Sequence, residues 1–89
     1  MTQQQQPNEA AIYRAVCKEL ILLMADREVT QEQVAGAVGV RREAFNGYLN
    51  GTTQKGMPFR TLVAAVAYLG DDLGVFMERA VARARRTTE

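Results

Sequence analysis

The stretch from Thr30 to Gly51, TQEQVAGAVGVRREAFNGYLNG, constrains the fold more than any other part of the chain. Thr30 and Gln33 form a T-x-x-Q capping box, in which the threonine hydroxyl and the glutamine side chain each accept a free backbone donor at the start of a helix. That helix has to stop at Gly39, because glycine enters the left-handed conformation that closes a helix without a Cβ clash. A second helix is expected from about Arg41 to Leu49, with Asn50-Gly51 as its stop. Within this unit the framework positions are Val34, Ala35, Val38, Gly39, Val40, Phe45 and Tyr48. Ala35 suits a crossing so close that a larger side chain would push the helices apart. Val40 packs the turn inward, and Phe45 with Tyr48 pin the second helix so that it projects outward.

The flanks read as further helices. Residues 1–7 are polar and low in complexity and are expected to form a loose tail ending at Pro7. Asn8 can cap a first helix whose buried side carries Ile12, Val16, Leu20 and Leu23, widened by Tyr13, Cys17, Ile21 and Met24. Asp26-Arg27-Glu28 interrupts that pattern and reads as a polar connection. After the second motif helix, residues 51–57 have loop composition, and Pro58 suits the first position of a fourth helix. Phe59, Leu62, Val63, Val66 and Leu69 give it a buried side. Gly70 closes it, Asp71 is expected to cap a fifth helix, and Leu73, Phe76, Met77, Ala80, Val81 and Ala84 form the last apolar stripe. The expectation is a compact all-α, five-helix domain over residues 8–86, with 87–89 as a second tail.

Composition narrows the function classes. With 89 residues the chain has room for one domain with a modest core, and 47% hydrophobic residues beside 24% charged ones is ordinary for a globular protein. The longest uninterrupted apolar run, Leu62 to Leu69, is far short of the roughly 20 residues a membrane span needs. The start, Thr2 followed by four glutamines, lacks the basic and apolar regions of a secretory signal, so a cytoplasmic location is expected. Cys17 is the single cysteine and reads as a packed thiol. Without histidine the commonest general base and the commonest zinc ligand are both missing. No catalytic residue, metal site or cofactor is expected, and the acids show no pairing pattern that would suggest an enzyme.

The net charge of +1 conceals a pattern. Residues 1–40 hold three basic and five acidic side chains, whereas residues 41–60 hold four basic and one acidic. A second basic cluster, Arg79, Arg83, Arg85 and Arg86, lies near the C-terminus, where it could complement a helix dipole or touch a phosphate.

Residues 30–51 resemble the helix-turn-helix of the phage lambda repressor and Cro-like family at all seven framework positions, and a weaker likeness continues to about Met77. That resemblance implies a lambda-repressor-like DNA-binding domain whose second motif helix lies in the major groove of double-stranded DNA. It assigns base-edge contacts to Arg42, Glu43, Asn46 and Gly47, and phosphate contacts to Gln31 and Asn50. Thr52, Thr53 and Lys55 follow more loosely as backbone contacts.

Two departures from the family pattern matter. Arg41 stands where the family commonly has a small hydroxyl residue, so its side chain offers no oxygen to cap the helix. Arg41 and Arg42 also put positive charge at the positive end of a helix dipole, at a cost of roughly 0.3–1 kcal/mol each. An external phosphate would offset it, which makes Arg41 a phosphate contact as well. Gly47 costs about 1 kcal/mol relative to alanine inside a helix and is expected to permit close approach of the backbone to DNA. Arg42 is expected to donate to guanine O6 and N7, and Glu43 to accept from cytosine N4. The basic arm of the family is not carried over, since residues 1–8 hold no lysine or arginine.

The function so implied is a sequence-specific transcriptional regulator, a phage or small bacterial repressor that occupies an operator. Such proteins act as dimers on half-sites ~34 Å apart, and the fifth helix, with Val75 beside its core stripe, is the expected homodimer surface. The alternative is an antitoxin-like module that grips a protein partner and also binds its own promoter.

Overall fold

The computed structural model describes residues 7–52 and 56–88. Among them the chain forms five α-helices and no strand: α1 Glu9–Arg27, α2 Gln31–Val38, α3 Arg42–Asn50, α4 Phe59–Tyr68 and α5 Leu73–Thr88. None of these helices is long and apolar enough to cross a membrane.

The helix starts follow their capping residues. Asn8 Oδ1 accepts from the Ala11 N–H at 2.8 Å. At α2 the capping box closes in both directions, with Gln33 N–H to Thr30 Oγ1 at 3.1 Å and Thr30 N–H to Gln33 Oε1 at 2.8 Å. α4 begins at Phe59 with Pro58 in the capping position, one residue later than expected. The cap of α5 is Asp72 rather than Asp71: Asp72 Oδ1 accepts from the Val75 N–H at 2.9 Å. Asp71 is taken by another partner, described below.

Four helices end in one way. A residue in the left-handed region returns its N–H to the carbonyl three residues back, and the next residue returns its N–H to the carbonyl five back, which satisfies the orphan carbonyls of the last turn. The longer bonds are Val29 to Met24 (3.0 Å), Val40 to Ala35 (3.0 Å), Thr52 to Gly47 (3.0 Å) and Asp71 to Val66 (3.1 Å). Glycine holds the left-handed position after α2, α3 and α4, whereas after α1 it is Glu28, with φ of 58°. With its stop at Glu28, α1 includes Asp26 and Arg27, which together with Glu28 read as a connection in the sequence.

The core is one cluster, centred on Leu20, Val34, Phe45, Val66 and Phe76, whose side chains are fully buried. α1 packs most extensively on α5, and α2 on α4, with α3 held against both α1 and α2. Pro7 is buried rather than part of a tail, and α5 continues to Thr88, taking in two residues of the expected C-terminal tail. Phe59 and Val63 had read as core. They are 68% and 36% exposed, because the side of α4 that faces the core carries Thr61, Leu62, Ala65 and Val66.

Polar contacts lock the helices in register. Buried Glu19 of α1 accepts from Arg83 Nε at 2.8 Å and from Arg79 Nε at 3.4 Å. Arg79 also donates through Nη2 to Asp71, and its guanidinium lies 5.9 Å from the centre of the Phe76 ring. Arg27 Nε donates to the Leu69 carbonyl at 2.9 Å, so the end of α1 caps the end of α4. Arg79 and Arg83 of the C-terminal cluster are thus engaged by α1 and by the turn before α5, an explanation distinct from both a dipole effect and a phosphate contact.

Two outcomes follow. Glu28→Gly removes the strain of a β-carbon in the left-handed region and is expected to raise unfolding free energy by about 1 kcal/mol in urea titration. The Asp71 carboxyl is held below its ordinary range, first by the Arg79 hydrogen bond and then by the Asp72 N–H. A depressed folded value stabilises the protein above the unfolded value of roughly 3.9 and ceases to do so as pH falls through the folded one. Wild type should therefore exceed Asp71→Asn in melting temperature near neutrality, with the gap closing on acidification below about pH 4.

Candidate nucleic-acid interface

α2 and α3 form a helical corner. Its hinge is Gly39 (φ 78°), followed by Val40 and by Arg41 in an extended conformation (φ −69°, ψ 146°). Val34, Ala35 and Phe45 are buried inside the corner, and Val38, Val40 and Tyr48 are packed at its margin, so six of the seven framework residues face inward, while Gly39 at the turn is exposed. The outer side of α3 is left to polar residues.

Arg41, Arg42, Glu43, Asn46 and Asn50 are exposed, and Gln31 is half-buried at the first position of α2. Thr30, Gln31, Glu32, Arg42, Glu43 and Asn46 line one open concavity between the start of α2 and the outer side of α3. The corner thus brings together four of the residues singled out from sequence, Gln31, Arg42, Glu43 and Asn46. It adds Glu32, which the sequence did not single out and whose acidic side chain in the first turn of α2 suits the helix dipole.

The start of α3 is electrostatically unusual. Arg41 occupies the capping position with no side-chain hydrogen bond to the first-turn amides, in contrast to the Asn8 cap of α1 and the closed box of α2. First-turn amides that no side chain caps, the positive end of the dipole and two exposed guanidinium groups coincide there, with Glu43 as the one acid in the first turn. Such a locus attracts an anion.

Further along, Asn50 Nδ2 donates to Asn46 Oδ1 at 3.1 Å. The Asn46 carbonyl is therefore partly occupied, and a two-bond pairing with adenine requires that contact to be shared or opened. Gly47 differs from expectation. It is buried, and its carbonyl accepts the Thr52 N–H at 3.0 Å and faces the Thr52 hydroxyl at 3.5 Å, since the chain folds back over the last turn of α3. A base edge has no access to Gly47, which leaves the base-reading set. Thr52 is exposed beside it, while Thr53 and Lys55 lie outside the described residues.

The angle of α3 is set from α1, by residues whose polar role the sequence did not reveal. Tyr13 Oη donates to the Tyr48 carbonyl at 3.0 Å and accepts the Met57 N–H at 2.9 Å. Cys17 Sγ donates to the same carbonyl at 3.4 Å. Tyr13 and Cys17 thus hold the C-terminal turn of α3 and the approach to α4 on one anchor. Burial raises the ionisation range of both groups, which keeps them protonated and able to donate.

Compared with known proteins, the chain matches no family model, no curated protein and no solved structure.

Tyr13→Phe leaves the Met57 N–H and one Tyr48 acceptor site without their partner and is expected to cost about 1–3 kcal/mol in chemical denaturation. Tyr68→Phe, at a residue 50% exposed, serves as the control and should change stability by less than about 0.5 kcal/mol.

Proposed function

We propose that the chain is a sequence-specific DNA-binding transcriptional regulator of the lambda repressor and Cro-like kind, which lays α3 in the major groove of an operator. The observation that carries this is the start of α3, where Arg41 and Arg42 stand exposed at a helix end with no side-chain cap. Positive charge at the positive end of a helix dipole is unfavourable within the chain itself. A duplex supplies phosphate to the amides and Arg41, and a guanine edge to Arg42.

In this arrangement Arg42, Glu43 and Asn46 read base edges, the first two as a guanine donor and a cytosine acceptor. Gln31, Arg41, Asn50 and Thr52 fix register on the sugar-phosphate backbone. Glu32 and Glu43 in the same concavity repel phosphate, which discriminates against a misplaced groove and favours a cytosine amino group where a carboxylate comes to rest. Regulation is by occupancy: the protein acts as a two-fold dimer that covers two half-sites ~34 Å apart and blocks competing access.

Selection of binding sites from random duplex DNA at several salt concentrations tests the proposal. A consensus with a G·C pair under Arg42 is expected. Arg42→Ala should lose about 1–3 kcal/mol at that position and relax the preference there, while Arg41→Ala should weaken all sequences alike and reduce the salt slope by about one. Recovery of no consensus, or equal weakening of every sequence by Arg42→Ala, would contradict the assignment.

A further inference from the structure

The outer side of α4 has no role in the corner that α2 and α3 form. Five large apolar side chains are exposed among the described residues; α1 and α5 carry one each, Leu22 and Val75, and α4 carries three. On α4, Phe59 and Val63 share a row four residues apart that continues to exposed Ala67, and Arg60, half-buried Ala64 and Tyr68 form the adjoining row. Arg60 is the single charged residue of this helix.

We infer that this face is the homodimer interface, with α4 of a second copy lying antiparallel across it about a two-fold axis near Ala64. The inference rests on the dimer proposed above and replaces the fifth helix as its surface, since α5 spends Phe76, Ala80 and Ala84 in the core and exposes only Val75 among large apolar side chains.

Both shape and charge select a second copy as the occupant. Along the Phe59 row the bulk lies at the start, in Phe59 and Val63, and the end is small, in Ala67 and Gly70, with Tyr68 in the adjoining row. A β-carbon added at Gly70 would meet nothing within 4 Å, so there is open space at that end. Antiparallel pairing sets the large end of each copy on the small end of the other, as an isologous contact requires. Arg60 sits near the positive end of its own helix dipole, with no acid in the first turn. In the antiparallel pair it lies over the last turn of the partner, where the dipole is negative, the Tyr68 ring is exposed and the Asp72 carboxylate follows. A parallel pair would instead oppose the two arginines.

The test is sedimentation of the full chain. Wild type is expected to dimerise reversibly. Phe59→Glu should raise the dimer dissociation constant on the order of a hundredfold, because the two-fold counts the substitution twice. Val75→Glu should leave it unchanged. Circular dichroism should show both variants folded, since both positions are exposed. As a second arm, Ala64→Cys should form an interchain disulfide on mild oxidation and Glu78→Cys, on α5, should not. Persistence of the dimer in Phe59→Glu, whatever Val75→Glu does, or cross-linking at Glu78→Cys alone, would overturn the inference. A wild type that stays monomeric at high concentration with and without DNA would overturn the dimer as a whole. In either case a consensus from the random-sequence selection would leave the DNA-binding proposal standing, so the two failures are separable.

Discussion

The turn at Gly39 is the constraint on which the arrangement of the other helices depends. With φ of 78°, it lets Val40 return its N–H to the Ala35 carbonyl and redirects the chain within three residues, from the end of α2 to the start of α3. Ala35, 1% exposed, and Phe45, fully buried, can then share one interior. A β-carbon at Gly39 would meet no neighbour, so the requirement for glycine there is conformational and not one of space. The rest of the domain holds that corner. Tyr13 and Cys17 secure the far end of α3, α4 backs α2, and the pairing of Glu19 with Arg79 and Arg83 keeps α1 and α5 together behind them.

This division separates stabilising charge from charge set aside. Arg79 and Arg83 face carboxylates of their own chain, and Arg27 caps a helix; each has a structural function that explains it. At Arg41 and Arg42 the same residue type lies at a helix end where it is unfavourable and where no side chain caps the amides. A basic surface identified by counting arginines would have merged the two groups. The contacts distinguish Arg79, Arg83 and Arg27, which their own chain engages, from the pair at the start of α3, for which an external anion is proposed.

Much of the fold was legible because its signals are local. The capping box of Thr30 and Gln33, the stops at Gly39, Gly51 and Gly70, and the buried side of α1 depend on residues within a few positions of one another. The misreadings have equally specific causes. Glu28 closes α1 in a conformation its residue type disfavours, so no stop was visible. Asp71 and Asp72 are equally good caps by type, and the choice depended on Arg79, eight residues beyond Asp71, which takes the first of them. Phe59 and Val63 fit a helical apolar pattern, but α4 has apolar residues nearly all round, so periodicity could not say which side faces inward. Gly47 was read from its place in a motif, while its burial depends on Thr52 folding back. The anchoring of Tyr48 by Tyr13 joins positions 35 residues apart through a backbone carbonyl, for which side-chain patterns carry no signal.

The central claim is that the outer side of the α2–α3 corner meets a DNA duplex. Titration of isotope-labelled protein with duplex DNA, followed through its backbone amide resonances, tests it most directly. The account predicts that the largest shifts fall on residues 30–32 and 41–46, weaken with added salt, and spare the amides of α1 that face α5. Shifts concentrated elsewhere on the surface, or none at DNA concentrations well above those of nonspecific binding, would contradict it.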